Sequence, residues 1–421
     1  MKIFKFGGAS VKDAAAVRNV SHIISLYPQD KLIVVISAMG KTTNLLEEIV
    51  DALWTQNKES FLSTIDQCYT FHQEIVAELF EEKHYAIHTE LESIFTKLKE
   101  RFDGSLSDNY SFEYDQIVSL GEVISTRIVE AFLRESGHQS VWVDSRKIIR
   151  TDNHYQEGNV DWEKTQQFVQ DRLLGVMKLS RIAITQGFIG HTSEGFTTTL
   201  GREGSDYTAG IFAFCSNATD VTIWKDVPGM LNADPRVFSD TKKLDKISFK
   251  EAIELSYYGA SVIHPKTVKP LKNKGIPLYV KSFIDPHAEG TAIQASDEFD
   301  QLIPSFIIKK EQALLSITPK DFSFIVEENL SDIFTSLAEL GITINLMQNS
   351  ALSFSIVFDD KKNNVERVIK AFEKDFELEL TKSTELVTIR HYDNATIDLV
   401  TSGKSILVEQ RIKDTVRMIL N

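Results

Sequence analysis

Cysteine is almost absent from this chain: Cys68 and Cys215 are the only two among 421 residues. They match no disulfide framework and no metal-ligand spacing, which suits a reducing compartment. Long apolar runs are missing too. The longest, LIVVISAM at 32–39, falls far short of the roughly 20 residues that cross a bilayer. No basic stretch leading into an apolar core opens the sequence, so no export signal is expected and the cytoplasm is the expected location. Cations are the minority charge, with 46 Lys and Arg against 60 Asp and Glu and a net charge of −14. That balance argues against nucleic acid, whose binding depends on neutralising phosphates. Any phosphate site here must be built locally, against the overall field.

What remains is an ordinary globular composition, 42% hydrophobic and 25% charged, long enough for two or three domains. KLIVVISAM (31–39) is a continuous apolar run of the buried parallel-strand kind, and TTNLLEEIVDALW (42–54) follows it with helical periodicity. Residues 59–102 read as one long helical stretch. SVWVDS (140–145), RIAITQGFIG (181–190) and DVTIWKDVPG (220–229) each read as a central strand running into a turn. Strands alternating with helices predict βαβ units, a mostly parallel sheet and a site at the strands' carboxyl ends. The polar stretch 285–305 reads as an irregular linker. Beyond it the pattern is βαββαβ, a ferredoxin-like unit, then a partial unit of two strands and a helix.

Four turns bearing glycine or cations follow predicted strands: Lys5-Phe6-Gly7-Gly8; SAMGKTTN with Ser37 and Thr43; TTTLGREGSDYTAG with Arg202, Ser205 and Asp206; and WKDVPGMLNADPR with Lys225, Asp226, Leu231 and Arg236. Adjacent glycines let the backbone approach a ligand closely, and amides at helix starts favour anions. None of the four is a Walker or dinucleotide fingerprint. Each alone reads equally as a turn with a solvated cation; together, in one domain, they point to an anionic ligand. Acids stand among them: Asp206 near Arg202, Asp226 beside Lys225, and Glu122 opening a helical run. They read as helix caps and surface ion pairs, or as partners for a zwitterion whose carboxylate an arginine would fork.

KFGGAS, SAMGKTTN, SLGE, TTTLGREGSDYTA, WKDVPGMLNADPR, YYGASVIHP and VKSF…GT, in that order from residue 2 to about 292, closely resemble aspartokinases of the amino-acid kinase superfamily. The tail resembles ACT regulatory domains. The resemblance implies a mostly parallel sheet sandwiched by helices over 1–292, a linker over 293–308 and an α+β ACT region over 309–421. One full unit would span about 310–385 and a shortened one 386–421. It implies transfer of the γ-phosphoryl of Mg-ATP to the side-chain carboxylate of L-aspartate, the first step of lysine, threonine and methionine biosynthesis. Lys5 and Asp206 would be catalytic. Ser37, Thr43, Glu122, Phe188, Arg202 and Ser205 would bind substrate. Lys5, Gly7, Gly8, Lys225, Asp226, Leu231, Arg236 and Ser261 would line the nucleotide, with Mg²⁺ riding on its phosphates. A homodimer or higher homo-oligomer through the ACT region is implied as well.

Departures from the family pattern sharpen the expectations. Ala9 stands where threonine is usual, Leu231 where some members have an aromatic residue, and Ser261 where some place a phosphate-binding lysine. The effector turn INLMQNSALS offers Asn345 and Ser350, but Asn345 and Ala351 replace acids of lysine-sensitive members. The second unit lacks its first helix on this reading, because VTIRHYDN passes almost directly into ATIDLVTSG. His264, Lys266, Lys269, Lys272 and Lys274 read as structural or solvated. A dead-kinase amino-acid sensor and a kinase acting on glutamate or carbamate are the rival readings.

Overall fold

Strand β1 (Lys2–Phe6) shows how the first half is assembled. All of it beyond Lys2 is buried, including Lys5. Side chains alternate across a strand, so Phe4 and Phe6 share one face. There they meet Trp224, edge-on at 5.6 Å and stacked at 6.1 Å, contacts worth about 0.5–1.5 kcal/mol each beyond burial. Lys5 is thereby turned to the opposite face. The computed structural model describes residues 1–80, 85–260, 263–301, 303–321, 323–361 and 363–421.

β1 leads through a 3₁₀ turn into helix α1 (Ala14–Ser25), capped by Asp13, whose carboxylate accepts from the Ala16 N–H. Next come β2 (Leu32–Ile36), α2 (Thr42–Trp54), α3 (Lys58–Leu79), α4 (Tyr85–Glu100), α5 (Tyr110–Val118) and α6 (Leu120–Glu135). Then follow β3 (Ser140–Val143), α7 (Trp162–Phe168), the short α8 (Leu174–Val176), β4 (Ile182–Gln186), β5 (Ile189–His191) and β6 (Thr197–Thr199). α9 (Gly204–Ser216), β7 (Asp220–Lys225), β8 (Lys246–Ser248), α10 (Phe249–Tyr258), α11 (Pro265–Lys274), β9 (Leu278–Ser282) and β10 (Thr291–Gln294) complete the series. The main sheet runs β3-β4-β2-β1-β7-β9-β10-β8 and is parallel except between β9 and β10.

Three details differ from the sequence reading. β3 lies at the sheet edge rather than the centre. Its Trp142 is satisfied there by the Arg127 guanidinium 3.4 Å above the ring and by donating its indole N–H to Thr126. The helical stretch 59–102 is two helices, α3 and α4. Within the supposed linker, TAIQ forms β10, where Thr291 and Ile293 are buried and alternate with half-buried neighbours. His264 caps α11 through Nδ1, which accepts from the Lys266 N–H, as its structural reading expected.

The chain forms two compact units. The first comprises Met1–Met230, Lys243–Ser256 and Ser261–Asp300; the second, Leu231–Lys242, Tyr257–Ala260 and Gln301–Asn421. The second unit contains β11 (Ser305–Pro319), α12 (Glu327–Glu339), β12 (Ile344–Asn349), β13 (Phe354–Asp359), α13 (Asn364–Phe372) and β14 (Phe376–Arg390). α14 (Asn394–Thr401), β15 (Ile406–Ile412) and β16 (Thr415–Leu420) follow. Its sheet runs β12-β13-β11-β14-β16-β15, so the βαββαβ pattern has the ferredoxin-like order. β11 and β14 are 15 residues each, and register shifts around Lys309–Leu314 divide their pairing in two. The far half of β14 pairs with β16, and α14 packs there, with Val387, Ile389, Ile397, Val400, Val416 and Met418 in one cluster. A helix therefore does follow the strand in this second half. ATIDLVT is α14, started by Asp393, which accepts from the Thr396 N–H. The segment 231–242 belongs to the same unit: Phe238 packs on Phe306 at 5.1 Å, and the Phe306 N–H donates to the Asn232 carbonyl.

Candidate active site

Parallel strands β4, β2, β1 and β7 lie side by side and end on the same edge. Lys5 is the penultimate residue of β1, Ser37 follows β2, Phe188 stands two residues past β4, and Lys225 ends β7. Together with Thr43, Glu122, Arg202, Ser205 and Asp206 they line one cavity of about 570 Å³. The third cation-bearing turn enters from β6, which pairs with β5 in a separate two-stranded sheet.

Asp206, in the first turn of α9, is buried. It does not cap that helix, whose N-cap is Glu203. Lys5 Nζ lies 2.7 Å from Asp206 Oδ1, and Lys225 Nζ 3.7 Å from Oδ2. Burial alone would raise the Asp206 carboxyl. The two lysine charges outweigh it and hold the group below the usual carboxylate range. A buried carboxylate thus fixes two ammonium groups at the cavity floor.

Glu122, in the first turn of α6, has the opposite environment. Its Oε1 accepts from the Ala38 N–H at 3.2 Å, and its Oε2 is buried without a partner among the described residues. Burial pushes its carboxyl up to about 8, against the Ala38 N–H and the charge of Lys5. Arg202 is exposed at the rim. Phe188 adopts a left-handed φ of 69°, a strain of order 1–3 kcal/mol, and its N–H donates to Thr208 Oγ1. Gly8 has to be glycine: a Cβ there would lie 2.8 Å from the Ala38 carbonyl, so β1 and β2 could not approach as they do. At Gly7 the nearest atom to a Cβ would be Lys5 Nζ, at 3.3 Å.

The remaining expected residues fall elsewhere. Asp226 is exposed one residue beyond Lys225. Leu231 and Arg236 belong to the second unit, where the Arg236 guanidinium grips Asp234 at 2.7 Å. Asn345 and Ser350 are also there: Asn345 bonds Lys309, Gln312 and Asp359, and Ser350 bonds Ser353. Ser261 lies outside the described residues. Tyr114, Gln156, Glu157, Thr199 and Glu203 line the cavity without having been expected. Tyr114 and the neighbouring FEYDQIVSLGE run offered a signal, as a helix leading straight to Glu122.

Residues 1–282 match the model of the amino acid kinase family. Over 360 residues the chain is 33% identical to the lysine-sensitive aspartokinase 3 of Escherichia coli (strain K12), covering 85% of this chain and 78% of that one. The chain belongs to the aspartokinase family. Two solved structures of E. coli aspartokinase III, one with aspartate and ADP and one with lysine and aspartate, each share 28% identity with it. Their TM-scores are 0.81 and 0.83; each covers the whole of this chain and 96% or 95% of its own. As an aspartokinase-family member the chain is a phosphotransferase enzyme, and its mostly parallel sheet followed by an antiparallel α+β unit is that family's architecture.

Proposed function

We infer that the cavity transfers the γ-phosphoryl group of ATP to the side-chain carboxylate of L-aspartate, yielding ADP and 4-phospho-L-aspartate for amino-acid biosynthesis. The observation that carries this reading is the buried Asp206 holding Lys5 and Lys225 in the same cavity as Glu122 and Arg202. The acceptor is already ionised at neutral pH, with a pKa near 3.9, so no general base is required. The barrier is instead the approach of two anions. Like charges at about 4 Å repel by about 4 kcal/mol at an effective dielectric of 20. Lys5 and Lys225 offset that repulsion and stabilise charge on the transferring group. Asp206 keeps both lysines in position.

In this reading Arg202 forks the α-carboxylate, and Glu122 ionises to receive the α-ammonium. Ser37, Thr43, Phe188 and Ser205 shape the acceptor side. Gly7, Gly8 and Asp226 flank the phosphates. Lys225 supplies the cation that Ser261 cannot. Mg²⁺ fits on the phosphate oxygens rather than in a protein cage: Asp206 is engaged by two lysines, and Glu122 is neutral at pH 7 until substrate arrives. Bound there, it would neutralise charge on the transferring phosphates. A cytoplasmic homodimer joined through the tail completes the proposal. Edge strand β12 and the adjoining turn leave Met347 and Leu352 exposed.

The test is aspartate-dependent ADP release with Mg-ATP, with hydroxylamine trapping the acyl phosphate. Hydroxamate formation is expected from the parent chain. Nucleotide binding without hydroxamate would refute the reading.

A further inference from the structure

Asp115 sits in α5, makes no contact with the space where substrate would lie, and is fully buried. Its carboxylate gathers three donors from two separate segments. Oδ2 accepts from the Gln156 N–H and the Thr199 N–H, each at 2.9 Å, and Oδ1 accepts from the Thr199 hydroxyl at 2.7 Å. A fourth bond closes the loop and strand on each other: the Gly158 N–H donates to the Thr199 carbonyl at 2.8 Å. Gln156 and Thr199 both line the catalytic cavity.

These bonds constrain a turn with little regular structure of its own. Gln156 is left-handed, with φ 68°. β6 is only three residues long and outside the main sheet. Two residues past Thr199, Gly201 has φ 75°, and a Cβ there would lie 3.2 Å from Glu157 Cγ and 3.3 Å from the Gln156 carbonyl. Arg202 follows at once. Its backbone is therefore set by how the 156–158 loop and β6 are held together, and Asp115 is the side chain that holds them. Burial pushes its carboxyl up to about 6, the backbone and hydroxyl donors opposing. A buried acid that costs free energy to ionise, yet makes every hydrogen bond to two cavity-lining segments, is better explained by positioning than by general packing.

We propose that Asp115 is a positioning residue for substrate binding: it clamps the 156–158 loop to β6 and so fixes Arg202 where an amino acid's carboxylate is held. This deepens, and rests on, the reading of the cavity as the aspartate site. Steady-state kinetics on the full chain would compare Asp115→Ala with Asp115→Asn. Loss of all three acceptor contacts is expected to raise KM for aspartate by about tenfold to a hundredfold, with KM for ATP within about twofold. Asparagine is expected to recover most of the loss. Its single oxygen can take both backbone donors, and the Thr199 hydroxyl can turn to accept from the amide.

An unchanged aspartate KM in Asp115→Ala, or parallel rises in both KM values, would overturn the proposal. Should Asp115→Ala not fold, Thr199→Val against Thr199→Ser carries the same comparison, valine raising KM for aspartate alone. Hydrogen exchange at residues 154–160 and 197–203 of the full chain tests the clamp without turnover, with faster exchange expected in the alanine variant. An inactive parent with the exchange difference intact would sink the aspartate reading alone. An active parent without it would sink the clamp alone.

Discussion

Two buried or half-buried acids, Asp206 in the first unit and Asp359 in the second, are treated in opposite ways. Asp206 faces a cavity and is met by two lysines that a ligand can share. Asp359 Oδ1 accepts from the Gln312 and Asn345 amides, both at 2.8 Å, while Asn345 Oδ1 accepts from the Lys309 ammonium at 2.9 Å. Polar groups arranged around open space leave charge for a substrate. Polar groups arranged around one another are structural.

The sharpest way to break that comparison is Lys5→Ala. Removing the nearer cation leaves Asp206 buried beside one lysine and should lower kcat about a thousandfold, as loss of a preorganised charge does in other sites. The hydroxamate assay reads it, and retention of a tenth of the activity would refute the role given to Lys5.

Glu122→Gln should act next, chiefly on substrate affinity. The parent acid is neutral below about 8, so at pH 7 an arriving ammonium must displace its proton at a cost of about 1.4 kcal/mol. KM for aspartate should therefore fall roughly fivefold to tenfold between pH 7 and 8.5, and the glutamine variant should show a higher, flat KM. Stability follows the same sign. A carboxyl whose folded pKa is raised loses its contribution as pH rises through the folded value, so the parent should melt lower at pH 8.5 than at 6.5 and Glu122→Gln should lose less.

Asn345→Ala tests the other side. It should cost about 1 kcal/mol of stability through lost hydrogen bonds, read by thermal melting, with kcat unaltered. Millimolar lysine should have the smallest effect of all, leaving the rate unchanged, because the carboxylate nearest Asn345 is already occupied. Inhibition by lysine would show that the tail cluster opens and that the contrast with Asp206 is one of state rather than construction.

Much of the site was legible in the sequence because its residues sit at strand ends, in the turns that follow and at helix starts. Lys5, Ser37, Thr43, Glu122, Phe188, Arg202, Ser205, Asp206 and Lys225, widely separated along the chain, meet in one cavity. Strand ends adjacent in a parallel sheet bring such turns together whatever their spacing. Asp115, Gln156, Glu157 and Thr199 were not legible. They come from an aperiodic loop, a three-residue strand and a helix face whose buried acid looks like any other charged residue in one dimension. The strand and helix order of the tail's first unit was readable from periodicity alone, whereas α14 of the second was not. The division of β11 and β14 was not, since a register shift leaves the apolar alternation on either side intact. Nor could WKDVPGMLNADPR reveal that its second half packs with β11, because Asn232 and Phe306 are joined only in space.

That last feature bears on how such a protein can be rearranged by recombination. The chain passes between its two units after residues 230, 242, 256, 260 and 300. No single cut separates them. A gene fragment ending near residue 300 would encode Phe238 and Asn232 without the Phe306 and Pro304 they bond, and a fragment beginning there would lack the loop that covers its own core. Exchange of C-terminal units between homologous genes would therefore be expected to succeed only when the 231–242 and 257–260 segments travel with them.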